Sequence, residues 1–283
     1  MSKENAFLKE LVSSEMHSNV DYLMSTASNF SQESKVMTFV DDIRSQFGAF
    51  IGRAATFFNS SKVGNFKPST VIPGKLTEFA NADGYRSIGQ KVISIPLGFQ
   101  GKYIDYIQAL SSALAYVETL EKTIGATSQQ LATVASEPDR MKAQSALRNL
   151  ESLIKPMPAS EFNALRAFCG NHGKTQARLS DVVDNGADIG AIYREVNNLN
   201  QRCSRVDWAG IDRKTSRLAE LIVHVQKEIE AAGDGGTSGA AASALSTMVY
   251  GLATSVSAAA VVLSGVMELT HCLAQNVGEV VGA

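Results

Sequence analysis

Apolar residues recur at steps of three and four along most of this chain, the spacing that places them on one face of an α-helix. The first such stripe covers residues 36–57 and predicts a helix over about 34–58, preceded by a shorter amphipathic helix. Further stripes cover residues 104–134, 189–206 and 218–229. The pattern therefore predicts an all-α protein, a bundle of long antiparallel helices with coiled-coil-like seams.

The helical pattern is interrupted between residues 59 and 101, where Gly, Pro, Ser and Asn separate short β-branched runs at 69–72 and 91–95. This composition predicts loops with a small β-hairpin. We therefore divide the chain into four parts. These are N-terminal helices over 1–58, a loop-rich insertion over 59–101, a helical bundle over 102–232, and a glycine-rich joint with an uncharged C-terminal assembly helix over 233–283.

Capping residues predict where several helices begin and end. Ser136, followed by Glu137 and Pro138, predicts a helix start, because a hydroxyl, an acidic residue and a proline suit the first turn. The buried stripe of that helix is then Leu147, Leu150 and Ile154. Residues 185–186, Asn-Gly, predict the C-terminal cap of a helix. Residues 207–210 predict a turn between the last two stripes.

The C-terminal region is unusual in its charge. No Lys or Arg follows Lys227, and residues 235–267 carry no charge of either sign. Such a surface must be covered by its own core, by other copies of the chain, by a partner or by a bilayer. Its apolar residues follow one another at seam spacing and predict an assembly interface. The predicted interface residues are Leu245, Val249, Leu252, Val256, Ala259, Leu263, Val266, Leu273, Val277 and Val280.

Composition excludes some classes of partner. The 283 residues are 45% hydrophobic, enough for a real core, and the net charge of −2 argues against a nucleic-acid partner. Three widely spaced cysteines favour buried thiols in a reducing compartment over a disulfide framework. The opening residues lack the apolar stretch of a secretory signal. We therefore expect a cytoplasmic protein.

Several patterns invite a chemical interpretation. Residues 170–175, Gly-Asn-His-Gly-Lys-Thr, resemble the end of a phosphate-binding loop, but the glycine required five residues before Gly173 is Phe168. Cys169 and His172 suggest a thiolate–imidazole pair or half of a metal site, yet no second ligand pair has the spacing that zinc needs. A plain turn and a buried thiol are the simpler interpretations.

Three aspartates, Asp181, Asp184 and Asp188, suggest a calcium loop but lack the alternating ligands around a central glycine. Pairs of carboxylates such as Asp41 with Asp42 and Glu118 with Glu121 are predicted to lie on polar helix faces, where they solvate the protein. The sequence therefore predicts no catalytic residue, no cofactor and no metal ligand.

Trp208-Ala209-Gly210 resembles the Trp-x-Gly turn of the small helical-hairpin proteins exported by specialised secretion systems of Gram-positive bacteria. The resemblance covers residues 177–230 and implies an antiparallel hairpin of two helices. The chain is longer than those proteins and lacks their C-terminal tyrosine-acidic export signal, since Thr254 follows Tyr250 at the fourth position.

A bilayer is the main rival to protein as the cover of the tail, because residues 248–267 supply about 20 uncharged positions. Small and polar residues dilute this span, and no Lys or Arg flanks it to set an orientation. We therefore expect a non-enzymatic structural or assembly protein, a homo-oligomer or a subunit packed among others, such as a phage virion component. The alternative is a membrane-active helical protein, of the pore-forming or translocator type, that hides its uncharged segment until it meets lipid.

Overall fold

The computed structural model describes residues 82–97, 99–137, 139–150 and 174–231, and residues 244–270 apart from short gaps. Six helices are present in the first four ranges: α1 (Ala82–Gly89), α2 (Tyr103–Ala135), α3 (Arg140–Leu150), α4 (Leu179–Val182), α5 (Gly186–Arg205) and α6 (Trp208–Ala231). Two strands, β1 (Val92–Pro96) and β2 (Lys174–Arg178), complete them. Most described residues are helical, as predicted. The predicted helix at 34–58 and the β-branched run at 69–72 lie outside the described residues.

Helix α2 is the longest described element and contacts α3, α5 and α6. Pro96 and Pro138 bracket it, and no proline lies between them, so its backbone ladder is uninterrupted. The predicted stripe is buried from Ile107 to Val134, whereas Ile104 is half-buried. Gly125 stands where α6 approaches closely, because a Cβ at this position would lie 3.3 Å from the Lys214 side chain.

The start of α3 corrects one predicted boundary. The Ser136 backbone N–H donates to Ala132 at the end of α2, so Ser136 closes α2 and does not open the next helix. Helix α3 is capped instead by Asp139, whose Oδ1 accepts from Met141 N at 3.0 Å. Both residues are good caps, and the path of the backbone decides between them. Leu147 and Leu150 are buried as predicted, and Ile154 lies outside the described residues.

The ends of α5 and α6 correct two more boundaries. Asn185 is the N-cap of α5, not a C-cap, because its Oδ1 accepts from Asp188 N at 3.1 Å. The predicted turn at 207–210 is the first turn of α6, where Asp207 Oδ1 accepts from Gly210 N at 2.8 Å. The predicted stripe of α5 is buried from Ile189 to Cys203.

Helices α5 and α6 follow each other directly along the chain, and both pack on α2. The antiparallel hairpin that the Trp-x-Gly resemblance implies for these two helices stays a prediction. Trp208 is buried at the start of α6, and its indole Nε1 donates to the Cys203 carbonyl at 2.7 Å. The tryptophan therefore stabilises the junction between α5 and α6, two helices that both pack on α2.

The small sheet also differs from the prediction. Strand β1 pairs antiparallel with β2 and not with a neighbouring run, and the central pair of the ladder joins Ser94 to Gln176, 82 positions later. Ile93 lies opposite Ala177 and Ile95 opposite Thr175 on the inner face. Both isoleucines are buried. The sequence gives no hairpin signal for this pairing, since more than one helix separates the two strands.

The C-terminal region is helical at every described position between 244 and 270, here called the terminal segment. Residues 258–266 are buried without exception. Because consecutive residues of an α-helix point about 100° apart, this run covers every face of the helix. The segment joins the same hydrophobic cluster as α2, α5 and α6. Residues 258–266 are therefore covered from within the chain, as expected for a helix that is apolar all round.

Leu263 tests this burial, because its side chain is fully enclosed. Leu263→Ala should lower the free energy of unfolding by about 2–5 kcal/mol, since it removes buried methyl groups and leaves a cavity. The measurement is urea denaturation followed by circular dichroism. Met141→Ala is the control, because Met141 is 72% exposed and should change stability by no more than about 0.5 kcal/mol. Equal effects of the two changes would show that the segment does not lie in the core.

Candidate interaction site

The predicted assembly interface lies mostly inside the subunit. Six of its ten residues are buried within the chain: Leu245, Leu252, Val256, Ala259, Leu263 and Val266. The other four lie outside the described residues: Val249, Leu273, Val277 and Val280. In this fold the six described side chains contact their own chain. Their part in an interface between subunits stays a prediction, and it would require the terminal segment to leave the core.

Two buried polar contacts fasten the terminal segment to its neighbours. Thr270 Oγ1 donates to the Val266 carbonyl at 2.7 Å and accepts from Asn200 Nδ2 of α5 at 3.1 Å. Ser255 Oγ donates to the Gly251 carbonyl at 2.8 Å and lies 2.8 Å from the Tyr116 hydroxyl of α2. Burial raises the pKa of Tyr116, although the hydrogen bond with Ser255 opposes this. These contacts give the segment one rotational setting, which apolar packing alone does not specify.

Ion pairs join α2 to α5 and α6 at the border of the core. Arg202 contacts both carboxylate oxygens of Glu118, at 2.9 and 3.0 Å, and its Nη1 donates to Ser111 Oγ at 2.7 Å. Lys214 Nζ donates to Glu121 Oε1 at 2.7 Å. The sequence placed Glu118 and Glu121 on a solvated face, which is only half correct. Each is paired across a helix contact that the sequence does not reveal.

The potentially reactive side chains that the structure describes are either buried or part of a strand. Cys203 is buried, and this burial raises the pKa of its thiol well above the usual range. Because the thiolate is the reactive form, Cys203 is a poor nucleophile. Cys169 and His172 lie outside the described residues, as does Cys272. Lys174 and Thr175, the last residues of the phosphate-loop-like run, belong to β2.

The three aspartates near α4 are used in the local fold. Asp181 Oδ2 accepts from Arg178 N at 2.8 Å, and Asp184 pairs with Lys102 Nζ at 2.9 Å. Together with burial, their charges and that of Asp188 raise the pKa of Tyr85. Among the residues that the structure describes, no group of three or more His, Cys, Asp or Glu side chains is placed to hold a metal ion.

Exposed apolar side chains point to a different surface. Among the described residues, the large hydrophobic side chains with high exposure are Val92 at 56%, Leu97 at 58% and Met141 at 72%. Val92 begins β1 and Leu97 directly follows it. We call the outer side of β1 the β1 edge, formed by the backbone of residues 92–96 and the side chains of Val92 and Leu97.

The hydrogen-bond pattern shows which backbone groups face outward at the β1 edge. Leu179 N donates to the Lys91 carbonyl at 3.0 Å, one step beyond the Val92–Arg178 pair. Bonded and non-bonded pairs alternate in an antiparallel ladder, so residues 93 and 95 bond to β2. The N–H and C=O groups of Val92 and Ser94 then point away from β2. Within the described ranges, neither residue has a hydrogen bond beyond the ladder.

Comparison with known proteins adds no assignment, since no family model, no curated protein and no solved structure matches this chain. In the part of the chain that the structure describes, no helix combines the length and apolar character needed to cross a bilayer.

Thr270 tests the attachment of the terminal segment to α5. Thr270→Val should lower the free energy of unfolding by about 1–3 kcal/mol, because the buried Asn200 amide loses its partner. Adding Asn200→Leu should recover part of this loss, which urea denaturation of the double-mutant cycle would measure. Thr133→Val is the matched control, since Thr133 makes the same bond to its own helix but is exposed. An additive cycle would contradict the contact.

Cys203 predicts a dependence of stability on alkaline pH. The thiol of the unfolded chain ionises near pH 8.5, whereas the folded thiol stays protonated. The folded state therefore binds more protons above this pH, and stability falls by up to about 1.4 kcal/mol per pH unit as pH rises.

The test compares urea midpoints at pH 8 and at pH 9.5 in a background with Cys169→Ser and Cys272→Ser. Cys203→Ala should reduce the loss between the two pH values, whatever it costs at pH 8. An unchanged pH dependence would contradict the burial of the thiol.

Proposed function

We propose that this chain is a non-enzymatic structural subunit that associates with copies of itself or with other structural subunits. The observation that supports this proposal is the burial of residues 258–266 on every face of their helix. The most apolar part of the chain is used to hold α2, α5 and the terminal segment together. Buried polar groups such as Asn200 and Thr270 form hydrogen bonds between helices.

The proposed mechanism is mechanical. Buried apolar surface contributes roughly 25 cal/mol per Å², so a fully enclosed helix stabilises one arrangement of the helices around it. We propose that these helices continue as a bundle of long antiparallel helices with coiled-coil-like seams. Such a subunit keeps its shape when it is stacked among others. A phage virion is a setting that needs subunits of this kind.

A second candidate is a membrane-active helical protein, and one observation favours it. Residues 235–267 carry no charge, and glycines stand at 233, 235 and 236. Glycine-rich sequences favour flexible linkers, and we propose that this one would allow the uncharged helix to leave the core and enter lipid. Asn200 and Tyr116 would then hold the terminal segment until release.

The experiment is to measure the native mass of the full-length chain by sedimentation across a range of protein concentrations, with and without anionic phosphatidylglycerol vesicles. We expect particles larger than the 30.2 kDa protomer and no sedimentation with vesicles. A monomer that binds vesicles, and binds them more when Thr270→Val loosens the segment, would favour the second candidate. A monomer without vesicle binding would contradict self-association. Protein spun without vesicles is the control for aggregation.

A further inference from the structure

We propose that the β1 edge pairs antiparallel with the β1 edge of a second copy of this chain. The two small sheets then join into one four-stranded sheet across a two-fold axis. This inference rests on the proposed function, because it names one surface through which the structural subunit self-associates.

The backbone pattern of β1 is self-complementary about Ser94. When Ser94 lies opposite Ser94 of the second copy, each N–H donates to the carbonyl of the other, since both face outward. The next bonded position places Val92 opposite Pro96. There Val92 N–H donates to the Pro96 carbonyl, and the missing N–H of Pro96 leaves only one carbonyl to solvent on each side. A two-fold axis repeats each of these bonds.

The side chains along this edge are compatible with a second copy. Residues 92–99 carry no charge, so the two-fold axis brings no like charges together. The exposed Val92 side chain lies on the face opposite to Ile93 and Ile95, because successive side chains of a strand alternate. The two-fold arrangement sets Val92 of each copy across from position 96 of the other. The exposed side chain of Val92 therefore gains a neighbouring strand.

The opposite edge of the sheet is protected where β1 is not. Arg178 N–H faces outward on β2, but Asp181 already accepts its hydrogen bond. The exposed side chains of β2 include Lys174 and Arg178, and a two-fold axis through Gln176 would bring these like charges opposite each other. Charged side chains on an edge strand are a common defence against pairing. Strand β1 has no charged residue within it, which makes it the edge suited to a second copy.

The first test is Ser94→Pro, which removes the central N–H of the β1 edge. The substitution leaves the ladder to β2 intact, because Ser94 does not bond to it. We expect the dissociation constant for self-association, measured by sedimentation equilibrium, to rise at least tenfold. Gln176→Pro is the matched control, because it removes the corresponding outward N–H from β2, and its dissociation constant should stay within twofold of the parent. Circular dichroism checks that both variants fold.

The second test does not depend on a proline being tolerated. Ser94→Cys should form a disulfide-linked dimer under mild oxidation, since bonded pairs in an antiparallel ladder have Cα atoms about 5.5 Å apart, within disulfide range. Gln176→Cys should not. If the parent self-associates but Ser94→Pro associates equally and Ser94→Cys does not crosslink, the β1 pairing is overturned while the proposed function stands. A parent chain that is monomeric at all concentrations overturns both.

Discussion

Enclosure of an uncharged helix is the constraint on which the rest of the described structure depends. Residues 258–266 have no polar face to turn toward water, so the surrounding helices must cover them on all sides. Helices α2 and α5 contact the terminal segment through Tyr116 and Asn200, and each turns an apolar face toward the core and polar residues to the opposite side.

Polar contacts determine how the covering helices are set around the core. Apolar packing tolerates rotation and sliding, whereas a buried amide or hydroxyl is costly unless it meets its partner. Asn200 with Thr270 and Tyr116 with Ser255 define where the terminal segment lies along α5 and α2. At the border, Arg202 with Glu118 performs the same task between α5 and α2. Specificity in this core therefore comes from a few hydrogen-bonded pairs.

The small sheet contrasts with this enclosed core. Its inner face is sealed by Ile93 and Ile95, but its outer edge at β1 exposes both apolar side chains and backbone groups. The described residues of the uncharged tail, between 244 and 270, are by contrast almost all buried within the chain. Among the described residues, exposed apolar side chains and outward-facing backbone groups come together at the β1 edge, on a strand of five residues. The self-association that we propose therefore uses a sheet edge.

The sequence by itself determined the helical character of this protein and most of its buried stripes. Periodicity identified the buried faces of α2, α5 and α6, because the side chains of a helix repeat every 3.6 residues and the apolar residues at that spacing lie on one face. Local patterns left helix boundaries open, since Ser136 and Asp139 are both good caps and Asn185 suits either end of a helix.

Only the tertiary structure decided what covers the uncharged segment, which strand pairs with β1, and which cations pair with Glu118 and Glu121. These facts depend on residues that lie far apart along the chain. Periodicity reports that a face is apolar or charged, but it carries no information about the identity of the opposing surface.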